Sequence, residues 1–174
     1  MGLRVLFLVH FLLLAPVHAS MSTAYVAHTI DGDSILVKVD RNKENLRLYG
    51  IDAPEIGQEF GTEARDFVRE RTAGRAVTVE RLGSDRFGRD VAIVRLPDGR
   101  SLNAELVRHG YAWWSRRHAP DNLELADAER EARSQKRGLW HQAEPVPPWV
   151  WRAEINQSEE RNHRRFRHSL EHIR

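Results

Sequence analysis

The alternation of apolar and polar positions divides most of the chain into short strands and a few helices. "STAYVAHTI" and "DSILVKVD" read as strands that meet at Asp31-Gly32, a pair that favours a tight hairpin turn. "NLRLYGI" supplies a third strand, in which Leu46, Leu48 and Gly50 alternate with Arg47, Tyr49 and Ile51. The period then lengthens. In "GTEARDFVRERTAG", Ala64, Phe67, Val68 and Arg71 share one helical face, with Thr62 expected to cap the start and Gly74 to end it.

Strand periodicity returns in "AVTVERL" and "RDVAIVRL", linked by "GSDRFG", and a second Asp-Gly turn at Asp98-Gly99 leads into "RSLN". "NAELVRHG" is predicted as a short helix capped by Asn103 and stopped at Gly110. "DNLELADAEREARSQKRG" is predicted as a longer one, with a capping-box-like pair at Asp121 and Glu124 and an apolar face of Leu125, Ala128 and Ala132. Three strands, a helix, two strands and two more helices fit an α+β protein. The expected architecture is a five-stranded barrel of the oligonucleotide/oligosaccharide-binding (OB) type with about three helices packed outside. Beyond Trp140, the proline- and tryptophan-rich "HQAEPVPPWVWRAE" is expected to lie extended on the barrel. From Ile155 the polar, basic tail is expected to be mobile or weakly helical.

The first nineteen residues carry another signal. A basic start at Arg4 precedes an apolar run, and Val17 and Ala19 suit cleavage after Ala19, so residues 1–19 read as a signal peptide. The apolar run is shorter than the roughly 20 residues a spanning helix needs. The predicted organisation is therefore a leader at 1–19, a barrel domain at 24–141, and a Pro/Trp segment with a basic tail at 142–174. Export to the periplasm or medium follows, with no lasting membrane association and a monomer as the expected state. The 174 residues contain no cysteine, which excludes disulfides, thiol nucleophiles and thiolate metal sites. A net charge of +2, which falls by one when Arg4 leaves, excludes a histone-like polycation. Binding of a polyanion has to come from locally placed arginines.

Several charged residues interrupt this pattern. Asp33 follows the first turn, where Asp31 and Gly32 alone would suffice. Arg47 lies inside a strand, Asp52 and Glu55 bracket Ala53-Pro54 at its exit, and Arg89 precedes an apolar run. Singly, each has an ordinary role as a turn, cap or surface residue. Together, three carboxylates suit a hard, oxygen-binding cation such as calcium, and two guanidiniums suit the oxygens of a phosphate. A carboxylate outside the metal can orient or deprotonate water, which completes the parts needed to hydrolyse a phosphodiester. Other metal readings are weaker. Ile35 stands where an EF-hand places its third ligand, and His163, His168 and His172 fit a solvated tail better than a zinc site.

"TIDGDSILV", "LRLYGIDAPE" and "DRFGRDVAIV", with the closing "EARSQKRGLW", resemble the staphylococcal nuclease (thermonuclease) family from about Tyr25 to Trp140. The resemblance implies the OB barrel and a nuclease acting on DNA or RNA without strong sequence preference. It implies calcium held by Asp33, Asp52 and the Ala53 carbonyl, water handled by Glu55, and phosphate held by Arg47 and Arg89. The chain departs from the family pattern at Ser34, Ala53 and Phe87. Arg116 and His118 stand where the family's reference member stacks tyrosines on the nucleotide, so Trp113 and Trp114 are the expected replacements.

Overall fold

A computed structural model describes residues 20–171. The predicted leader lies outside the described residues. Five strands close a barrel in the order β1 (Ser20–Thr29), β2 (Ser34–Val39), β3 (Asn42–Leu48), β6 (Asp90–Arg95) and β5 (Ala76–Ser84). The contact between β3 and β6 is parallel, and the other pairings are antiparallel. Period-two alternation fills the interior: Ile35, Val37, Leu46, Leu48, Val77, Val79, Ala92 and Val94 are all buried. Because Leu46 and Leu48 face the core, Arg47 between them must face outward.

The sequence also forms a second, two-stranded sheet. In it β4 (Ile51–Asp52) pairs antiparallel with β7 (Trp113–Trp114), setting Asp52 opposite Trp113. Two residues carry no period, so Trp113–Trp114 has no strand signature in the sequence.

The helix α1 (Gly61–Thr72) packs Ala64, Phe67 and Val68 inward, as the periodicity predicts. Its cap is not Thr62. Phe60 precedes it in the left-handed region and makes no side-chain cap bond. The helix α2 (Leu102–Arg108) is capped by Ser101, whose hydroxyl accepts from the Ala104 amide. Asn103, expected as that cap, is instead buried. Its Oδ1 accepts from Val94 N at 3.1 Å and its Nδ2 donates to Tyr49 O at 2.9 Å, pinning the helix to the barrel where β3 and β6 meet. The helix α3 (Leu123–Ser134) is capped by Asn122 rather than Asp121 and buries Leu125, Ala128 and Ala132.

The largest correction lies at the C-terminus. After a short 3-10 turn at Gly138–His141, the chain forms a fourth helix, α4 (Pro148–Glu171); its start replaces part of the segment expected to be extended, and the tail, expected to be mobile or weakly helical, continues it as helix. Pro148 explains the start: its fixed φ and missing N–H suit the first turn of a helix. The preceding prolines obscured this, since they read as extended chain. Among the described residues no helix is long and apolar enough to cross a membrane.

Candidate active site

The site is assembled from the ends of four segments. In the turn after β1, the Asp31 carboxylate accepts from the backbone amides of Asp33 at 2.9 Å and Ser34 at 2.7 Å. Asp31 therefore does the work of the turn, and the Asp33 side chain is released from it. Burial pushes the Asp31 carboxyl above its ordinary value, against the opposing pull of Arg47. Gly32 lets this turn press against its neighbours, since a Cβ there would stand 2.7 Å from the Cβ atoms of both Ala53 and Ala64.

Asp33 is 1% exposed and fully engaged. Its Oδ2 accepts from the Ala53 amide at 2.7 Å, and its Oδ1 accepts from the Ser34 hydroxyl and the Arg47 Nη1. The other arm of the same guanidinium donates to Asp52 Oδ1 at 2.9 Å. One cationic group thus joins the two carboxylates expected to share a metal. Glu55 follows on the loop after β4, its amide donating to Gln58 Oε1 at 3.1 Å. Its side chain is about one-third exposed.

Arg89 is aimed from the β5–β6 loop. Its Nε donates to Asp85 Oδ2 at 2.7 Å, and its Nη1 lies 3.3 Å from the Ser34 hydroxyl that bonds Asp33. Burial raises the Asp85 carboxyl, but hydrogen bonds from Arg89 and from the Phe87 amide outweigh it and hold it below the ordinary range. Phe87 is exposed at the rim, with the guanidiniums of Arg86 and Arg89 over its ring at 4.7 and 5.6 Å. Arg47, Asp52, Glu55 and Arg89 all line one open groove of about 1450 Å³, which continues past Trp114, Arg116 and His118.

Of the six residues selected from sequence, Asp33, Arg47, Asp52 and Ala53 form one bonded cluster, with Glu55 and Arg89 at its edges. The stacking expectation for Trp113 fails. That ring is 5% exposed and packs edge-on against Trp140, with centroids 5.5 Å apart, so it belongs to the core. Trp114 is half-buried, donates its Nε1 to Ala119 O at 2.8 Å, and lies under the Arg116 guanidinium at 5.0 Å. The residue that sequence reasoning missed is Arg152 on α4. Its Nη2 donates to Asp52 Oδ2 at 2.8 Å and its Nη1 to Glu55 Oε1 at 2.5 Å. Those bonds, led by the one to Asp52, hold its own pKa above the ordinary value against the effect of burial. A helix start at Pro148, with Trp149 and Arg152 one turn apart, was the available signal.

The donor set tests the implied metal. Among the described residues no three His, Cys, Asp or Glu side chains converge as a ligand cluster. The cluster offers two carboxylates, Asp33 and Asp52, beside the Ala53 backbone, an all-oxygen set suited to a hard cation that keeps several waters. That one guanidinium already bridges both carboxylates shows that a positive charge fits between them.

Comparison with known proteins agrees with this geometry. Residues 45–142 match the family described as staphylococcal nuclease homologue. An uncharacterized endonuclease of Escherichia coli O157:H7 is 41% identical over 145 residues, covering 83% of this chain and 94% of that protein. Protein ParB of Escherichia coli is 40% identical over 75% of this chain and 79% of its own length. A micrococcal nuclease of Shigella flexneri is 38% identical over 73% of this chain and 78% of its own length. With the closed barrel and the match over more than half its length, the chain belongs to the staphylococcal nuclease homologue family and is a nuclease, a hydrolase.

Proposed function

We propose that the chain is an exported, calcium-dependent nuclease that cleaves the phosphodiester bonds of DNA, RNA or both with little sequence specificity. One observation carries the reading: the Arg47 guanidinium ties Asp33 to Asp52 in the groove that Glu55 and Arg89 also line. Calcium would be held by Asp33, Asp52 and the Ala53 carbonyl, and when bound it supplies a Lewis acid for a phosphoryl oxygen. Arg47 and Arg89 bind the phosphate and meet the negative charge that develops on it. Glu55, wetter than the two aspartates, orients the attacking water and accepts its proton. Weak sequence preference fits a groove whose charged groups address backbone rather than base edges. Export rests on the leader pattern at residues 1–19.

The test is direct. The mature chain is incubated with single- and double-stranded DNA and RNA, in calcium or in chelator. Calcium-dependent cleavage that Glu55→Gln abolishes supports the reading. Retardation of the nucleic acid without cleavage under either condition overturns it in favour of a binding module. N-terminal sequencing of protein from the medium or periplasm checks cleavage after Ala19.

A further inference from the structure

The start of α4 reaches back into the acidic end of the groove from outside the segment that the family match covers. Three contacts fix its approach. The Trp149 ring meets Trp113 edge-on, with centroids 6.3 Å apart. Gln58 Nε2 donates to Val146 O at 2.7 Å, just before the helix. The Oε1 of the same buried Gln58 accepts from the Glu55 amide, so one side chain couples the Glu55 backbone to the C-terminal segment. Arg152, one turn into the helix, then forks onto two carboxylates, with a third and longer bond of 3.2 Å to Asp52 Oδ1.

We propose that Arg152 is a positioning residue for the hydrolysis: it clamps the Glu55 carboxylate beside Asp52 and sets the direction in which Glu55 meets the attacking water. The inference rests on the nuclease reading above and deepens it. Asp52 and Glu55 are like charges three residues apart, and unaided they repel. The planar fork of an arginine can hold both at once, which a lysine cannot do equally well. Arg152 spans both oxygens of Asp52, with its shorter bond on Oδ2 and its longer one on Oδ1, the oxygen that Arg47 also meets. The same Nη1 that reaches Asp52 Oδ1 makes the short bond to Glu55 Oε1, so one fork holds the two carboxylates side by side, and the dependence on calcium separates a brace from a plug. Without it, a side chain as exposed as Glu55 explores other rotamers, and misplacement by about an ångström is enough to slow a reaction strongly.

The test uses the full mature chain, a short labelled DNA and saturating calcium. Arg152→Ala is expected to lower kcat by about 10–100-fold, the usual cost of losing a group that orients a ligand or base, and to change KM by no more than about threefold. Arg152→Lys is expected to recover part of that loss. Millimolar methylguanidinium at constant ionic strength should restore part of the Arg152→Ala rate and leave the wild type and Glu55→Gln unchanged. In chelator, where nothing is cut, Arg152→Ala should bind the same DNA within about threefold of wild type by fluorescence anisotropy. If Arg152→Ala melts early, Arg152→Gln, which keeps length and polarity, carries the comparison.

Wild-type kcat in these variants overturns the proposal. So does faster cleavage at limiting calcium, the mark of a plug, or a loss confined to KM and to binding in chelator, the mark of a phosphate contact. In each of these cases the nuclease reading stands, since the wild type cuts and Glu55→Gln does not. A wild type inert in calcium removes the reaction and the clamp together.

Discussion

The Ala53 amide donates to Asp33 Oδ2 across 2.7 Å, tying the turn after β1 to the chain just past β4. The bond carries structure and chemistry at once, since it aims the buried carboxylate whose other oxygen meets Arg47. Asp33→Ala would leave the buried Ala53 amide and one arm of Arg47 without their acceptor, while the other arm keeps Asp52. The expected loss is about 1–3 kcal/mol, the range for leaving a buried donor unsatisfied. Asp33→Asn keeps an oxygen for Ala53 N and should cost less. Urea unfolding of both variants checks the order, and neither should cleave DNA.

Calcium binding gives a second test that needs no substrate. A ligand that binds only the folded chain stabilises it by about 2.7 kcal/mol at one hundred times its dissociation constant. Calcium should therefore raise the melting temperature of the wild type by several degrees relative to chelator. Asp52→Asn and Asp33→Asn should abolish the rise. Glu55→Gln, which keeps both aspartates proposed to hold the cation, should retain it while failing to cleave. A rise that survives both aspartate variants would place the cation elsewhere.

These residues differ in how far the sequence announced them. Arg47 was legible because a two-residue period forces it to the face opposite Leu46 and Leu48, and the barrel keeps that alternation. Asp33 was legible because Asp31 and Gly32 already suffice for a turn. Trp113 was misread: with Arg116 and His118 at the family's tyrosine positions it was expected to take over the stacking, but pairing with Ile51–Asp52 turns its ring into the core. Arg152 was invisible for a different reason. It lies 97 residues from Glu55, and no local pattern reports a contact at that separation. The run of prolines before it also masked the start of the helix that delivers it.

Asp85 should matter to stability in a pH-dependent way. Its carboxylate accepts from the amides of Phe87 and Arg89 and from Arg89 Nε, and its folded pKa lies below the ordinary value. A depressed acid contributes stability that is present above the unfolded value, about 3.9, and is lost as pH falls through the folded one. Asp85→Asn should therefore be less stable than wild type at neutral pH. The difference should close in acid below the folded pKa. Urea titrations at pH 7 and in strong acid measure the gap. A gap of equal size at both would assign the effect to the turn itself and not to the charge.

Gly61 gives a way to move Glu55 without altering it. The loop from Glu55 to Gly61 is coiled tightly: Gln58 N donates to Glu55 O at 2.9 Å, and Gly61 N donates to Gln58 O at 3.0 Å. A Cβ on Gly61 would stand 2.0 Å from the Glu55 carbonyl oxygen, so alanine there must push the Glu55 backbone aside. Overpacking of this kind costs roughly 1–3 kcal/mol. Gly74→Ala serves as the control, because that glycine has φ +66° with open space around it, beyond the end of α1. Both variants should lose stability, the control by about 1 kcal/mol for strain at positive φ. Only Gly61→Ala should also lose kcat at a temperature where both are fully folded. Equal kcat in the two would mean that the rate does not depend on where Glu55 is held.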